Sequence, residues 1–164
     1  MTIPNIIMIQ KEQGKFINCD FREADTKEYT HGMHTYPAMM IPQIARRLIY
    51  LYGKEAKTLL DPFMGSGTSL VEASLTDHIK EAYGFDLNPL AILISKVKTT
   101  KLKEFDLTYH LKLIRIRADK IKKLKTPNFK NIDFWFKPEV IKNLARLKTS
   151  INQIKEEDIK DFFL

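Results

Sequence analysis

Two glycines and two aspartates are the residues whose types and spacing best fit a ligand-binding site in this sequence. Gly65 and Gly67 follow a short apolar run that ends at Asp61, and a helix-like pattern follows them. Glycine in a turn between a strand and a helix lets backbone N–H groups approach a ligand, because it has no Cβ. Asp86 ends the next predicted strand, 19 residues after Gly67.

The two carboxylates indicate what kind of ligand this turn would bind. A carboxylate about 20 residues after such a turn, at the tip of the second strand, is placed to hydrogen-bond a ribose diol. Asp61 would repel a phosphate and attract an ammonium group, although it could instead cap the turn. The G-K-[ST] sequence of a phosphate-binding P-loop is absent. S-adenosylmethionine, with a ribose and an amino-acid ammonium group, meets both demands.

Apolar patterning predicts the elements that position these residues. Strands are predicted over 57–62 and 81–86, and helices over 39–52, over 69–75 and from Asn88 to about Lys98. The resulting order, strand–helix–strand–helix, is typical of a parallel α/β sheet. Two apolar segments, Ile6–Ile9 and Phe16–Ile17, could form short strands or pack onto the core, and residues 20–30 are predicted to form a loop. The apolar stripe of the first helix is predicted at Ile41, Ile44, Leu48 and Leu51, with Arg46 and Arg47 facing away from it.

The C-terminal part of the chain is helical in pattern and basic. A long helix is predicted over 105–124, another from Pro138 and a last one from Glu156. Residues 91–164 carry 18 Lys and Arg against 9 Asp and Glu, whereas residues 1–90 carry 9 against 11. This asymmetry favours a polyanionic partner, with a lysine-rich solvated surface as the alternative. We therefore divide the chain into an α/β portion, 1–100, and a basic helical extension of the same domain, 101–164.

Composition narrows the class of protein. A length of 164 residues is enough for one domain with a core of its own. No apolar run is long enough to cross a bilayer, and the N-terminus lacks the basic region of a secretory signal. The single cysteine, Cys19, excludes an internal disulfide framework. We expect a cytoplasmic protein without membrane contact. We expect no metal site either, because His31 and His34 have no further ligand at suitable spacing.

Three segments resemble the DNA amino-methyltransferases, which methylate cytosine N4 or adenine N6. Asp61-Pro-Phe-Met-Gly-Ser-Gly-Thr68 resembles their D-P-F-x-G-S-G-T cofactor motif. Gly84–Pro89 with Ala91 resembles the next motif, G-x-D-x-N-P-x-A, and His31–Ala38 resembles a segment that precedes the cofactor motif in one subgroup. The resemblance covers roughly residues 29–100. It implies a Rossmann-like core that binds S-adenosylmethionine, in an enzyme of a restriction–modification system.

The resemblance, added to the spacing of Asp61, the two glycines and Asp86, implies a set of residues that bind S-adenosylmethionine. They are His34, Tyr36, Pro37, Asp61, Pro62, Phe63, Gly65, Gly67, Thr68, Asp86, Leu87 and Asn88. For Tyr36, core packing is the alternative to a place beside the cofactor. Basic residues of 96–130 are predicted to contact DNA, with solvated helix faces as the alternative. The aromatic cluster at Phe134–Phe136 could stack on a base, but packing in the hydrophobic core is the preferred interpretation.

The catalytic motif of the family, [DNS]-P-P-[YFW], has no counterpart, because the chain contains no Pro-Pro pair. In the family this motif binds the target amine and stacks on the flipped-out base. We therefore predict no catalytic residue here, and interpret the chain as the cofactor-binding half of a methyltransferase whose motif could lie on a second chain. Two alternatives remain: an RNA amine methyltransferase, and a catalytically dead cofactor-binding or regulatory module.

Overall fold

The computed structural model describes residues 8–12, 15–122 and 124–164, with side chains from Cys19 onward. The chain divides into two compact units, one ending at Thr99 and the other comprising Thr100–Leu164. The first unit combines strands and helices and the second is helical. The predicted α/β class with a helical extension is thus confirmed, whereas the assignment of 101–164 to the same domain as 1–100 stays a prediction.

The first unit contains four strands and three helices among its described residues. In chain order these are β1 (Met8–Glu12), β2 (Lys15–Asn18), α1 (Pro42–Tyr52), β3 (Thr58–Asp61), α2 (Thr68–Ser74), β4 (Glu81–Gly84) and α3 (Pro89–Thr99). A single 3₁₀ turn, His31–Met33, precedes α1. The strands β1 and β2 pair antiparallel, as the patterns around Ile9 and Phe16 suggested. Ile6 and Ile7, part of the same prediction, lie outside the described residues.

The parallel pair β3–β4 sets the geometry of the candidate site. Its register runs from Thr58 opposite Glu81 to Asp61 opposite Gly84, and α2 connects the two strands. Parallel strands place their carboxyl ends at one edge of the sheet, where ligands bind in open α/β folds. The turn after β3 and the loop after β4 therefore meet at that edge, although both strands are shorter than predicted.

Helix α1 packs against α2 with a face that differs from the predicted one. It begins at Pro42, which lacks the N–H that a first helical residue would leave unpaired. Pro42, Ala45 and Ile49 are buried, so the predicted apolar stripe is centred one position too early. Arg46, predicted to face away, instead contacts Glu72 of α2. The reason is an ion pair between the two helices, which periodicity alone does not reveal.

The second unit is built from α4 (Glu104–Lys120), α5 (Ile132–Trp135), α6 (Pro138–Ile151) and α7 (Glu157–Phe163). Its core joins Ile114 of α4, Ile154 and Ile159, with Leu102, Ile151 and Phe163 packed around them. The buried hydroxyl of Ser150 donates to the carbonyl of Ile114 at 3.0 Å and ties α6 to α4. Helix α4 ends at Lys120, four residues before the predicted end.

The aromatic cluster of the second unit is exposed. Phe134 and Trp135 are 80% and 68% exposed, and their rings meet edge to face with centroids 5.1 Å apart. The preferred interpretation as core is therefore wrong for these two residues. Helix α5 has only four residues, and none of them is buried. Apolar composition alone does not show whether a neighbouring element covers an aromatic side chain.

The described part of the chain bears on membrane contact and on metal binding. No helix there is long and apolar enough to cross a membrane. No group of three or more His, Cys, Asp or Glu side chains there could hold a metal ion.

Candidate functional site

The turn between β3 and α2 adopts a conformation that requires glycine. Gly65 and Gly67 have φ angles of +52° and +80°, in the left-handed region that side chains disfavour. Gly67 is the N-cap of α2, and its N–H donates to the carbonyl of Met64 at 2.8 Å. A Cβ on Gly67 would lie 2.1 Å from Ser95 Oγ, so the turn lies directly against α3.

Asp86 joins the loop after β4 to this turn. Its Oδ2 accepts from the backbone N–H of Gly65 at 3.0 Å, and its Oδ1 accepts from that of Asn88 at 2.8 Å. A carboxylate offers about four lone-pair positions, so each oxygen can accept a further hydrogen bond. The backbone therefore holds the Asp86 carboxylate in one orientation while leaving it able to bind hydroxyl groups.

Asp61 caps the turn and also faces a cavity. Its Oδ1 accepts from the backbone N–H of Phe63 at 3.0 Å, and its Oδ2 accepts from the hydroxyl of Ser69. The alternative role as a cap is thus realised, in the form of an Asx turn. Asp61 lines the cavity as well, so the two roles do not exclude each other.

The cavity lies between the segment after His34 and the glycine turn, with a volume of about 150 Å³. Its lining residues are Tyr36, Pro37, Ala38, Met39, Met40, Asp61, Phe63, Met64, Gly65, Ser66, Thr68 and Ser69. Six predicted site residues are among them: Tyr36, Pro37, Asp61, Phe63, Gly65 and Thr68. The structure therefore brings the His31–Ala38 segment and the glycine turn to one place.

Tyr36 holds this segment against the site edge. Its hydroxyl accepts from Asn88 Nδ2 at 3.0 Å. Its ring lies over Gly65, where an added Cβ would be 3.8 Å from Cε1. The ring is half-buried at the cavity, which is a wall position rather than one in the hydrophobic core.

The remaining predicted residues take two kinds of position. Gly67, Asp86 and Asn88 support the cavity wall through the contacts above. His34, Pro62 and Leu87 are exposed and do not line the cavity. Leu87 has its side chain entirely exposed, at 102%. Binding by all of these residues stays a prediction.

A buried charged network behind the site was missed by sequence reasoning. Glu72 of α2 is 1% exposed, and its carboxylate accepts from Arg46 at 2.7 and 3.1 Å. His31, which is also buried, places Nε2 2.9 Å from Glu72 Oε1. The hydrogen bond with Glu72 raises the pKa of the Arg46 guanidinium and outweighs the opposing effect of partial burial. His31 thus belongs to a structural network. The burial of Glu72 could have been predicted from its spacing, because it lies four residues after Thr68 on the same face of α2.

The buried position of Lys98 corrects its inclusion among the basic residues predicted to contact DNA. It belongs to the range 96–130 predicted to contact DNA, yet it is 4% exposed in the last turn of α3. Its Nζ lies 3.4 Å from Ser66 Oγ in the glycine turn. The buried face of α3, formed by Ala91, Ile94, Ser95 and Lys98, has the spacing of one helix stripe, and that spacing could have revealed it.

Comparison with known proteins bears on this site. The chain matches a family model described as DNA methylase over residues 8–97. It is 46% identical over 156 residues to Type II methyltransferase M.MvaI of Kocuria varians, and 32% identical over 103 residues to Type II methyltransferase M.MjaII of Methanocaldococcus jannaschii. The alignments cover 88% and 63% of this chain. No solved structure matches the chain significantly.

The family match includes the glycine turn, both aspartates and Tyr36. It covers more than half of the chain, and the resemblance to the DNA amino-methyltransferases is confirmed by it. The chain spans about a third of the length of M.MvaI and less of M.MjaII, at 34% and 18%. The chain therefore belongs to the DNA methylase family.

Proposed function

We propose that this chain is the cofactor-binding portion of a DNA amino-methyltransferase. It would hold S-adenosylmethionine, whose methyl group would pass to the exocyclic amine of cytosine N4 or adenine N6. The family implies a methyl-donor cofactor. The observation that carries the proposal is the hydrogen bond from Gly65 to Asp86, which joins the glycine turn to the carboxylate of the second strand.

The donor set fits the two ends of S-adenosylmethionine. Asp86, held by two backbone N–H groups, retains acceptor positions for the two hydroxyls of a ribose. Asp61 presents a carboxylate to the cavity, where it suits the α-ammonium group of the methionine part. A pyrophosphate at the same place would meet two carboxylates, which makes a dinucleotide a poorer ligand.

The size of the cavity suits one end of this ligand. Binding sites for small molecules measure about 300–1,000 Å³, and the cavity beside Tyr36 has about 150 Å³. We assign the methionine part to it, and the ribose and adenine to the adjacent edge near Asp86. Leu87, which is fully exposed there, would contact the adenine ring. His34 and Pro62, which lie outside the cavity lining, are the weakest members of the proposed set.

The parallel strand pair supports the proposal of a further polypeptide segment. Parallel sheets are ordinarily covered on both faces, whereas Leu60 of β3 and Tyr83 of β4 are exposed. The chain also spans only 34% of the length of M.MvaI. We propose that a segment carrying [DNS]-P-P-[YFW] adds strands to this pair and presents the target base. Binding would then exclude water and align amine and methyl group for direct transfer.

Contact with DNA is assigned to the basic helices. Apart from Lys98, the basic residues of 96–130 that the structure describes are exposed or half-buried, as phosphate contacts require. The exposed pair Phe134–Trp135 adds rings that could stack on a base. The cytoplasmic location expected from the sequence belongs to the same proposal, because host DNA lies there.

Replacing Asp86 with alanine is expected to weaken the binding of S-adenosylmethionine by at least about 100-fold. The variant loses two charge-assisted ligand hydrogen bonds, each worth about 1.5–3 kcal/mol, and also the acceptor that holds Gly65. Isothermal titration calorimetry with S-adenosylmethionine and S-adenosylhomocysteine measures the effect. Asp77→Ala removes an exposed carboxylate of the same unit and serves as the control. Unchanged affinity in Asp86→Ala would contradict the assigned ribose site.

Methyl transfer tests the nature of the acceptor. The chain, combined with a polypeptide carrying [DNS]-P-P-[YFW], is incubated with tritiated S-adenosylmethionine and either DNA or tRNA. Label in DNA supports the proposed enzyme, whereas label in tRNA alone supports an RNA amine methyltransferase. The missing Pro-Pro pair favours a second candidate, a cofactor-binding module without catalytic activity. Cofactor binding without transfer to either nucleic acid would support that candidate.

A further inference from the structure

Lys98 is a buried cation that no carboxylate neutralises among the residues that the structure describes. Lysine is rarely buried without a partner, because removing an ammonium from water is costly. Among the described residues, the side-chain partner of the Lys98 ammonium is the hydroxyl of Ser66, which carries no charge. Burial lowers the pKa of the ammonium below its ordinary value. An anion from outside the chain would offset this unfavourable burial.

Ser66 connects the ammonium group of Lys98 to the cavity. An ammonium group only donates hydrogen bonds, so Ser66 Oγ accepts from it at 3.4 Å. The hydroxyl hydrogen of Ser66 then remains able to donate. Ser66 lines the cavity together with Asp61. This cavity therefore has a carboxylate at one position and a hydroxyl polarised by a buried cation at another.

We propose that Lys98, acting through Ser66, positions and neutralises the carboxylate of the amino-acid end of the ligand. The inference rests on the proposed function, since it assigns the second charged group of the methionine part. Asp61 would bind the ammonium group of the methionine part, and the Ser66 hydroxyl would donate a hydrogen bond to the carboxylate of the methionine part. Lys98 is therefore a positioning residue. Together with Ser66 it favours adenosine derivatives that carry both an ammonium group and a carboxylate over those that carry the ammonium group alone.

A pair of ligands that differ only in the carboxylate tests the inference. S-adenosylmethionine and its decarboxylated form share the adenosine, the sulfonium and the ammonium group. The wild-type chain is expected to bind S-adenosylmethionine about 10- to 100-fold more tightly, the range of a charge-assisted hydrogen bond. In Lys98→Met this preference is expected to fall to within about 3-fold, with the affinity for the decarboxylated ligand retained. Isothermal titration calorimetry provides both constants.

Matched variants separate this role from a purely structural one. Lys57→Met removes an exposed lysine of the same unit, outside every proposed binding site, and should leave the preference unchanged. Ser66→Ala keeps the buried cation but removes the donor, and is expected to reduce the preference as well. Thermal unfolding checks the fold of each variant. Lys98→Met is expected to unfold at the same or a higher temperature, because the uncompensated charge is gone.

The outcomes distinguish this inference from the proposed function. Equal losses of affinity for both ligands in Lys98→Met would overturn the carboxylate assignment and leave a structural role. A wild-type chain that binds both ligands with equal affinity would also overturn it, while the cofactor site stands. A wild-type chain that binds neither ligand, alone or with the segment carrying [DNS]-P-P-[YFW], would remove the proposed function itself.

Discussion

Gly67→Ala is expected to destabilise the first unit by about 2–5 kcal/mol and to remove binding of the cofactor. The left-handed backbone at φ +80° costs a side chain about 1–2 kcal/mol. Overpacking adds about 1–3 kcal/mol, because the new Cβ would lie 2.1 Å from Ser95 Oγ. A change of the Ser95 rotamer does not relieve the overlap, since its Cβ and Cα would lie at 2.8 and 3.1 Å. Helix α3 or the turn must therefore move.

Gly65→Ala is the matched control for this prediction. Gly65 also has a positive φ, +52°, but the nearest atom to an added Cβ is Tyr36 Cε1 at 3.8 Å. Only the backbone strain applies, so a loss of about 1–2 kcal/mol is expected. Urea unfolding curves with equal slopes give both values. Equal destabilisation in the two variants would show that the contact with Ser95 does not constrain the turn.

This contrast shows how far the sequence predicts the site. The order of the elements and the placement of Asp61, the glycines and Asp86 at one edge were predictable, because a parallel strand pair leaves little freedom there. That Gly67 is packed against Ser95, and Gly65 is not, depends on how closely α3 approaches the turn. Spacing along the chain contains no information on that distance.

The interactions of the buried residues Glu72 and Lys98 could not be predicted from the sequence for a different reason. The partners of Glu72 lie 26 and 41 residues away along the chain, and Ser66 lies 32 residues from Lys98. Periodicity can place a charged residue on the buried face of a helix, but it does not identify the partner. Phe134 and Trp135 show the opposite error, because apolar composition predicted burial for two side chains that are exposed in the structure.

Glu72→Ala is expected to lower the free energy of unfolding by about 3–5 kcal/mol, the range for breaking a buried ion pair by removing one partner. The substitution leaves His31 buried without its carboxylate and deprives Arg46 of two hydrogen bonds. Arg46 is 40% exposed and can regain water, so the orphaned His31 and the new cavity account for most of the loss. Because the total stability of a domain is about 5–15 kcal/mol, the variant would be poorly folded at 37 °C.

Glu28→Ala provides the control, because Glu28 pairs with the same guanidinium, at 2.9 Å, but is about one-third exposed. A partly solvated pair contributes about 0–1 kcal/mol, so urea unfolding should separate the two variants clearly. The network also fixes His31, which precedes the segment at the cavity wall, and Thr30 beside it donates to the carbonyl of Lys98 at 3.0 Å. Glu72→Gln keeps the side-chain volume and one acceptor oxygen, and should therefore retain more stability and more cofactor affinity than Glu72→Ala. If Glu72→Ala costs no more than Glu28→Ala, the buried network does not hold α1, α2 and the His31 segment together.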